Sequence, residues 1–320
     1  SEPTTEIGIL NICGFERFQK NSFEQLCVNL ASERLQQHTE LHLFALEQTQ
    51  CAQEGVATEI VGLHGNQRLL DFFFQRPQGM LHLLDEESTS AQPSDQALVK
   101  RIQGSLERSH TNGVLSMPGR DRNGNAQTHF TIKHFAGEVT YDLTGAAAKN
   151  KDQLPQSLLF VMKTSENVVL RQLFQARLSP TGALLPPTGN RFPFRLAKAG
   201  RLHPQAAAAA AAATTTCYIT LHKLLKKKGE GSSLAESLEH GQELTLTSQL
   251  RMSLSDALLR LVGCTQHHLR CVRPNEAGRP DAFEAELVSA QLRHARVLHT
   301  VRLRRFGFPA RLPFADFLDR

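Results

Sequence analysis

From Ser22 to Gln53 apolar side chains recur at helical spacing, which commits this stretch to one helix of a length uncommon in globular proteins. Phe23, Leu26, Cys27, Leu30 and Ala31 set the repeat. Asn21 or Ser22 caps it, Ser22 and Gln25 standing at capping-box spacing, and Glu54 with Gly55 ends it. Just upstream, the run IGILNICG at 7–14 is apolar and closes on a glycine. It reads as a buried, parallel-type strand that gives way to a loop. A strand, a loop and a long helix in direct succession are thus the frame around which the rest is arranged.

Further along, 68–87 is apolar but broken at Pro77 and Gly79, which predicts two short helices. Residues 111–127 are rich in Gly, Asn, Arg and Pro and read as a loop. FTIKHFAGEVTY at 130–141 has strand character with a turn near Ala136 and Gly137. A helix is expected over 152–176. Composition then shifts: 179–216 carries five prolines and an eight-alanine tract, and 226–233 is charged and Gly/Ser-rich. The span 178–245 therefore reads as a poorly ordered insertion. Order returns with a helix over 247–262, a strand at 268–273 stopped by Pro274 and Asn275, a helix over 284–305, and a Gly-Phe-Pro segment that opens a last element.

Composition excludes several classes. No stretch is apolar enough to span a bilayer, and the opening residues are no secretion signal. Six cysteines (13, 27, 51, 217, 264, 271) lie without CxxC pairs, mostly inside apolar repeats, so buried, reduced, intracellular thiols are expected. Cys264, His267, His268 and Cys271 cluster, yet the apolar flanks and the lack of a CxxC knuckle favour core thiols over zinc. The net charge of +5 is uneven, with Lys226, Lys227 and Lys228 in a run and arginines crowding 293–311. Such charge suits an acidic partner. Nucleic acid is disfavoured, because Trp is absent, only two Tyr occur and basic residues are not interleaved with aromatics.

Taken in order, NICGFERF at 11–18, NSFEQLCVN at 21–29, ERLQ at 33–36, PQGMLHLLDEE at 77–87, HFAGEVTY at 134–141, RCVRPN at 270–275, QLR at 291–293, VRLRR at 301–305 and GFPAR at 307–311 resemble the myosin motor family. The likeness covers 7–177 and 246–320, and RLPFADF at 311–317 looks most like class XV unconventional myosins. It implies an α/β fold, a partial motor core of P-loop NTPase type, in which 7–12 and 268–273 share a central sheet. In the same terms 7–20 is the switch II strand and loop, 21–53 the relay helix, 54–177 the lower 50-kDa subdomain and 178–245 a disordered insertion at loop 2. Residues 246–306 hold a helix, a sheet strand and the two reactive-thiol helices, and 307–320 start the converter.

The resemblance also implies actin filaments as partner, MgATP as cofactor and a place in the cytoplasmic actin cytoskeleton. Asn11, Ile12, Cys13, Gly14, Phe15 and Glu16 then form the nucleotide-facing switch II remnant. Asn11 stands where the family has an aspartate, so charge that holds a hard cation is lost. Gly14 and Glu16 match the family. No GxxxxGK[ST] occurs in these 320 residues. The phosphate cradle and switch I are thus expected in a separate N-terminal half, and this chain alone is expected to bind no ATP and hydrolyse none. No light-chain-binding IQ helix is expected after Arg320.

Actin contact is implied at Thr89, Ser90 and Ala91, small residues that offer little hot-spot energy, and at Lys226, Lys227 and Lys228 through salt-sensitive steering. Coupling is implied for Phe23, Leu26, Arg296 and Gly307. Arg296 with His299 replaces a Gly-Val-Leu-Glu junction by RVLH, and AAAKN at 146–150 replaces a bulkier anchor. Two readings follow: part of an actin-based ATP-driven motor, or a non-catalytic pseudo-motor holding actin weakly by charge. Either leaves open sheet edges, and the isolated chain is expected to aggregate.

Overall fold

The computed structural model describes residues 7–12, 14–57, 62, 66–109, 115–116, 128–176, 245–262, 264–305 and 312–319. They form a mostly helical body with one small antiparallel sheet. The expected long helix is present: α1 (Phe23–Glu40) passes through a π-helical turn (Leu41–Ala45) into α2 (Leu46–Gln53) without a break. At its start the Ser22 N–H donates to Gln25 Oε1 at 3.0 Å, one half of the capping box. At its end Gly55 adopts φ +67, the left-handed geometry that lets the chain turn away. The π turn is marked by the Leu46 N–H reaching the Leu41 carbonyl, one residue beyond α-helical spacing.

Helices α3 (Gln67–Phe74), α4 (Met80–Thr89) and α5 (Asp95–Ser109) follow, then β1 (Leu115–Ser116), β2 (His129–His134) and β3 (Gly137–Asp142) in the order β1-β2-β3. Phe130 pairs with Tyr141 and His134 with Gly137 across the β2–β3 hairpin. The alternation of β2 and β3 turns Phe130, Ile132, His134, Val139 and Tyr141 inward. One core results. Phe23, Leu26 and Leu30 of α1 meet Phe73 of α3, Leu81 and Leu84 of α4, Ile102 of α5 and the inner face of the hairpin.

Between α3 and α4 the chain closes so tightly that a Cβ on Gly79 would stand 2.4 Å from the Gln75 carbonyl oxygen. Only glycine fits there. Helix α6 (Ala146–Lys151) lies on α4 through the buried Ala146 and Ala147, so the small residues seat a helix rather than leave a gap.

Three expectations are corrected. The helix expected over 152–176 is α7 (Gln156–Lys163) and α8 (Val168–Gln175), separated at 164–167. The Asn167 side chain accepts from the N–H groups of Val169 and Leu170, which starts α8 afresh. The helix expected over 284–305 is α10 (Ala285–His294) and α11 (Val297–Arg305), parted at Arg296 with φ +57. Between these pairs, α9 (Leu246–Val262) rests on α1, α4 and α6, and α12 (Phe314–Leu318) ends the described chain.

The third correction concerns fold class. Neither 7–12 nor 268–273 is a strand, and among the described residues no parallel central sheet is present. A strand exists only when a neighbour takes its backbone groups. No described segment pairs with these two, and Ile7, Ile9 and Leu269 are 90%, 93% and 95% exposed. Residues 178–244, expected as an insertion, and 307–311, expected to start the converter, lie outside the described residues; of the loop expected at 111–127 the two described residues, 115–116, are the strand β1 instead. Among those described, no helix is long and apolar enough to cross a membrane.

Candidate functional site

Asn11, Ile12 and Gly14 face solvent, and a methyl added at Gly14 would meet nothing within 4 Å. Anchoring begins at Phe15, whose ring meets His134 and Phe135 edge-on at 5.3 and 5.6 Å. Glu16 is held by its backbone. Its N–H donates to Asn29 Oδ1 at 2.8 Å, and its carbonyl accepts from Asn29 Nδ2 at 2.7 Å. A single amide side chain on α1 thus takes both backbone groups of one residue in the preceding segment. The Glu16 carboxylate accepts from Gln25 Nε2 at 3.3 Å. Asn21 repeats the device at shorter range: its side chain accepts the Phe18 N–H at 2.8 Å and donates to the Phe18 carbonyl at 3.0 Å. The Asn21 carbonyl in turn accepts from the Asp142 N–H at 2.9 Å, which ties this segment to β3.

Behind this segment runs a closed chain of buried polar groups. Asn29 Nδ2 also donates to the Tyr141 hydroxyl at 2.7 Å, which lies 2.8 Å from His134 Nε2, and His134 Nδ1 lies 3.0 Å from Glu33 Oε2. A carboxylate facing Nδ1 accepts the ring N–H there, so Nε2 accepts from the Tyr141 O–H. Asn66 Nδ2 donates to Glu33 Oε1 at 2.9 Å, and the Phe135 N–H reaches Oε2 at 3.3 Å. The side chains of Glu33 and His134 are both fully buried. Such groups are tolerated in a core only when each has its partners. Burial pushes the Tyr141 phenol up and the Cys27 thiol up to about 12, so both stay protonated at neutral pH.

Two further joints tie distant parts of the chain to this body. Asp85 on α4 receives Thr245, Thr247, Ser248 and Arg251 at the start of α9, with Ser248 at 3.0 Å. Asn150 on α6 completes that joint, its Oδ1 accepting the Thr247 N–H at 2.9 Å. Arg296, at the α10–α11 junction, is buried against α1: its Nη1 donates to the Gly62 carbonyl at 2.9 Å, and its Nε lies 3.5 Å from Glu40 Oε1.

The residues singled out in the sequence thus separate into groups. Phe23 and Leu26 lie in the core, and Arg296 is buried. Asn11, Ile12, Gly14, Phe15 and Glu16 form one segment on the outer side of the Asn29 joint. Thr89 ends α4 and Ser90 and Ala91 bend away after it, all three exposed. Cys13, Lys226, Lys227, Lys228 and Gly307 lie outside the described residues. Of the cysteines described, Cys27 is buried and Cys51 half-buried, but Cys264 and Cys271 are exposed, which corrects the expectation of buried thiols there.

Sequence reading missed Asn29, Glu33, His134, Tyr141 and Asp85. The available signal was polar side chains on inward-facing positions: Asn29 and Glu33 four apart on the buried face of α1, His134 and Tyr141 on the buried face of the hairpin.

The whole chain, residues 1–320, matches the model of the myosin head (motor domain) family. It belongs to that family. Human myosin-IIIa is 36% identical over 315 residues, 98% of this chain and 18% of that protein. Mouse myosin-IIIb is 36% identical over 323 residues, 100% of this chain and 22% of the relative, and mouse unconventional myosin-VIIb is 32% identical over 98% of this chain. The chain therefore spans about a fifth or less of the length of these relatives. The class XV expectation is corrected, since the two relatives at 36% identity are class III myosins. A seven-residue stretch at 311–317 carries far less class information than identity spread over the chain.

The family uses MgATP. Toward that group the described residues of the 11–16 segment offer the neutral Asn11 amide, the Gly14 backbone and a Glu16 carboxylate already engaged with Gln25. A hard divalent cation takes charged oxygen ligands, and phosphate oxygens take converging N–H donors. These residues by themselves do not meet that need.

Proposed function

We propose that residues 1–320 are the switch II, relay and lower 50-kDa portion of an actin-based, ATP-dependent motor. The observation that carries this is the Asn29 joint, which fastens both backbone groups of Glu16 to the first turns of a continuous helix from Phe23 to Gln53. A displacement of the 11–16 segment is passed to α1 through two short hydrogen bonds, rather than absorbed in a loose loop. In this reading the phosphate-binding loop and switch I belong to a part of the motor outside these residues. Segments 7–12 and 268–273 then join its α/β central sheet, the exposed residues 89–91 face actin, Lys226, Lys227 and Lys228 steer toward the acidic filament, and Gly307 leads into the converter. The setting is the cytoplasmic actin cytoskeleton.

A second reading, a non-catalytic pseudo-motor, is favoured by Asn11 and by the buried Arg296 at the α10–α11 junction. Co-sedimentation of the purified chain with filamentous actin, with and without MgATP across a salt series, tests the proposal. Binding weakened by salt but indifferent to MgATP is the expected result. Release by MgATP would place a working phosphate site within these residues and overturn that division of labour. No binding at any salt would remove actin as a partner of this portion. ATPase activity of a longer protein containing this chain separates the motor from the pseudo-motor.

A further inference from the structure

Arg296 combines two features that rarely coincide. Its φ of +57 lies in the left-handed region that favours glycine, and it is only 7% exposed. Asp152 and Asp281 share the positive φ, but aspartate tolerates it through short local hydrogen bonds. Strained backbone persists only where its surroundings over-determine it. At Arg296 the surroundings do so through the side chain: the guanidinium is held by the Gly62 carbonyl at 2.9 Å and by Glu40 Oε1 at 3.5 Å.

Glu40 is itself 4% exposed and is the last residue of α1 before the π turn. Its Oε1 also accepts from Gln36 Nε2 at 3.0 Å. One carboxylate thus joins α1 to the α10–α11 junction. A buried carboxylate and guanidinium are each costly to leave unpaired, which makes such a joint hard to open.

We propose that Arg296 and Glu40 form a buried clasp that fixes the α10–α11 junction to α1 at its π turn, so that the two move as one piece. Arg296 and Glu40 are positioning residues in this role, and the clasp does not depend on nucleotide or actin.

Hydrogen exchange of the full chain, read over 36–46 and 297–305, tests it with R296G, E40Q and the double variant. Glycine suits φ +57, so R296G relaxes the backbone while it breaks the clasp, and the two effects have opposite signs. Each single variant is expected to speed exchange at both places by roughly tenfold, with the double variant no faster than the faster single one. Additive effects, or unchanged or stronger protection in R296G, would overturn the clasp. R296K keeps the charge without the planar fork and is expected to fall between wild type and R296G. If E40Q does not fold, R296G and R296K decide the matter at 36–46, across the joint from the substitution. Protection there equal to wild type in both overturns the proposal.

Discussion

The hairpin side of α1 and the segments at 7–12 and 268–273 all carry large apolar side chains, yet many of these end in opposite environments. Leu26, Leu30, Phe130 and Tyr141 are fully buried, and the polar groups among them form a closed chain from Glu16 to Asn66. Ile7, Ile9 and Leu269 stand almost wholly in solvent. A helix satisfies its own backbone and needs a neighbour only for one face, whereas a strand needs a neighbour for its backbone as well. The first region carries its partners within the described chain. The second does not, and Ile7, Ile9 and Leu269 are left outside this body.

The largest contrast is expected from His134→Ala, which strips the imidazole from a fully buried Glu33. A loss of about 3–5 kcal/mol is expected, read as a collapse of the thermal transition by circular dichroism. A transition shifted by only a degree or two would show that the network is not what holds α1 to the hairpin. Tyr141→Phe is milder, since it removes one hydroxyl and leaves Asn29 Nδ2 and His134 Nε2 a partner short. Here about 1–3 kcal/mol should be lost, measurable as a lower urea midpoint at unchanged slope.

A smaller effect tests His38, near the π turn. Burial lowers its pKa from 6.5, while the Gln266 hydrogen bond at 3.1 Å opposes that and His42 and Arg34 add to the lowering. The unfolded chain therefore binds the proton more readily than the folded one. Stability from this site is full above the unfolded value and falls as pH drops from there toward the lowered folded value. Midpoints measured from about pH 7.5 to about pH 5 should decline, and His38→Gln should flatten part of that slope. An unchanged slope would assign it to other groups. Smallest of all is Ile9→Lys combined with Leu269→Lys, expected to leave stability within about 0.5 kcal/mol and to improve solubility. A clear loss of stability would mean that these residues are buried after all.

Much was legible before the structure. The helix from Phe23 to Gln53 followed from its repeat, cap and terminal glycine, because those signals are local. The hairpin and the break between α3 and α4 followed from alternation and from Pro77 and Gly79 for the same reason. The motif order pointed to the family that the whole chain matches. Less legible were the breaks at 164–167 and 295–296, where an asparagine cap and a left-handed arginine interrupt apolar repeats that continue on either side.

By itself the sequence determined where α1 starts, which faces of α1 and the hairpin are apolar, and that Asn11 brings no charge to the 11–16 segment. Those properties reside in neighbouring residues and in side-chain chemistry. Only the tertiary structure decided that Asn29 fastens Glu16, that Glu33 finds His134 101 residues away and that Glu40 meets Arg296. It also decided that 7–12 and 268–273 form no strand here. Each of these depends on a partner far along the chain, and no local pattern names a partner.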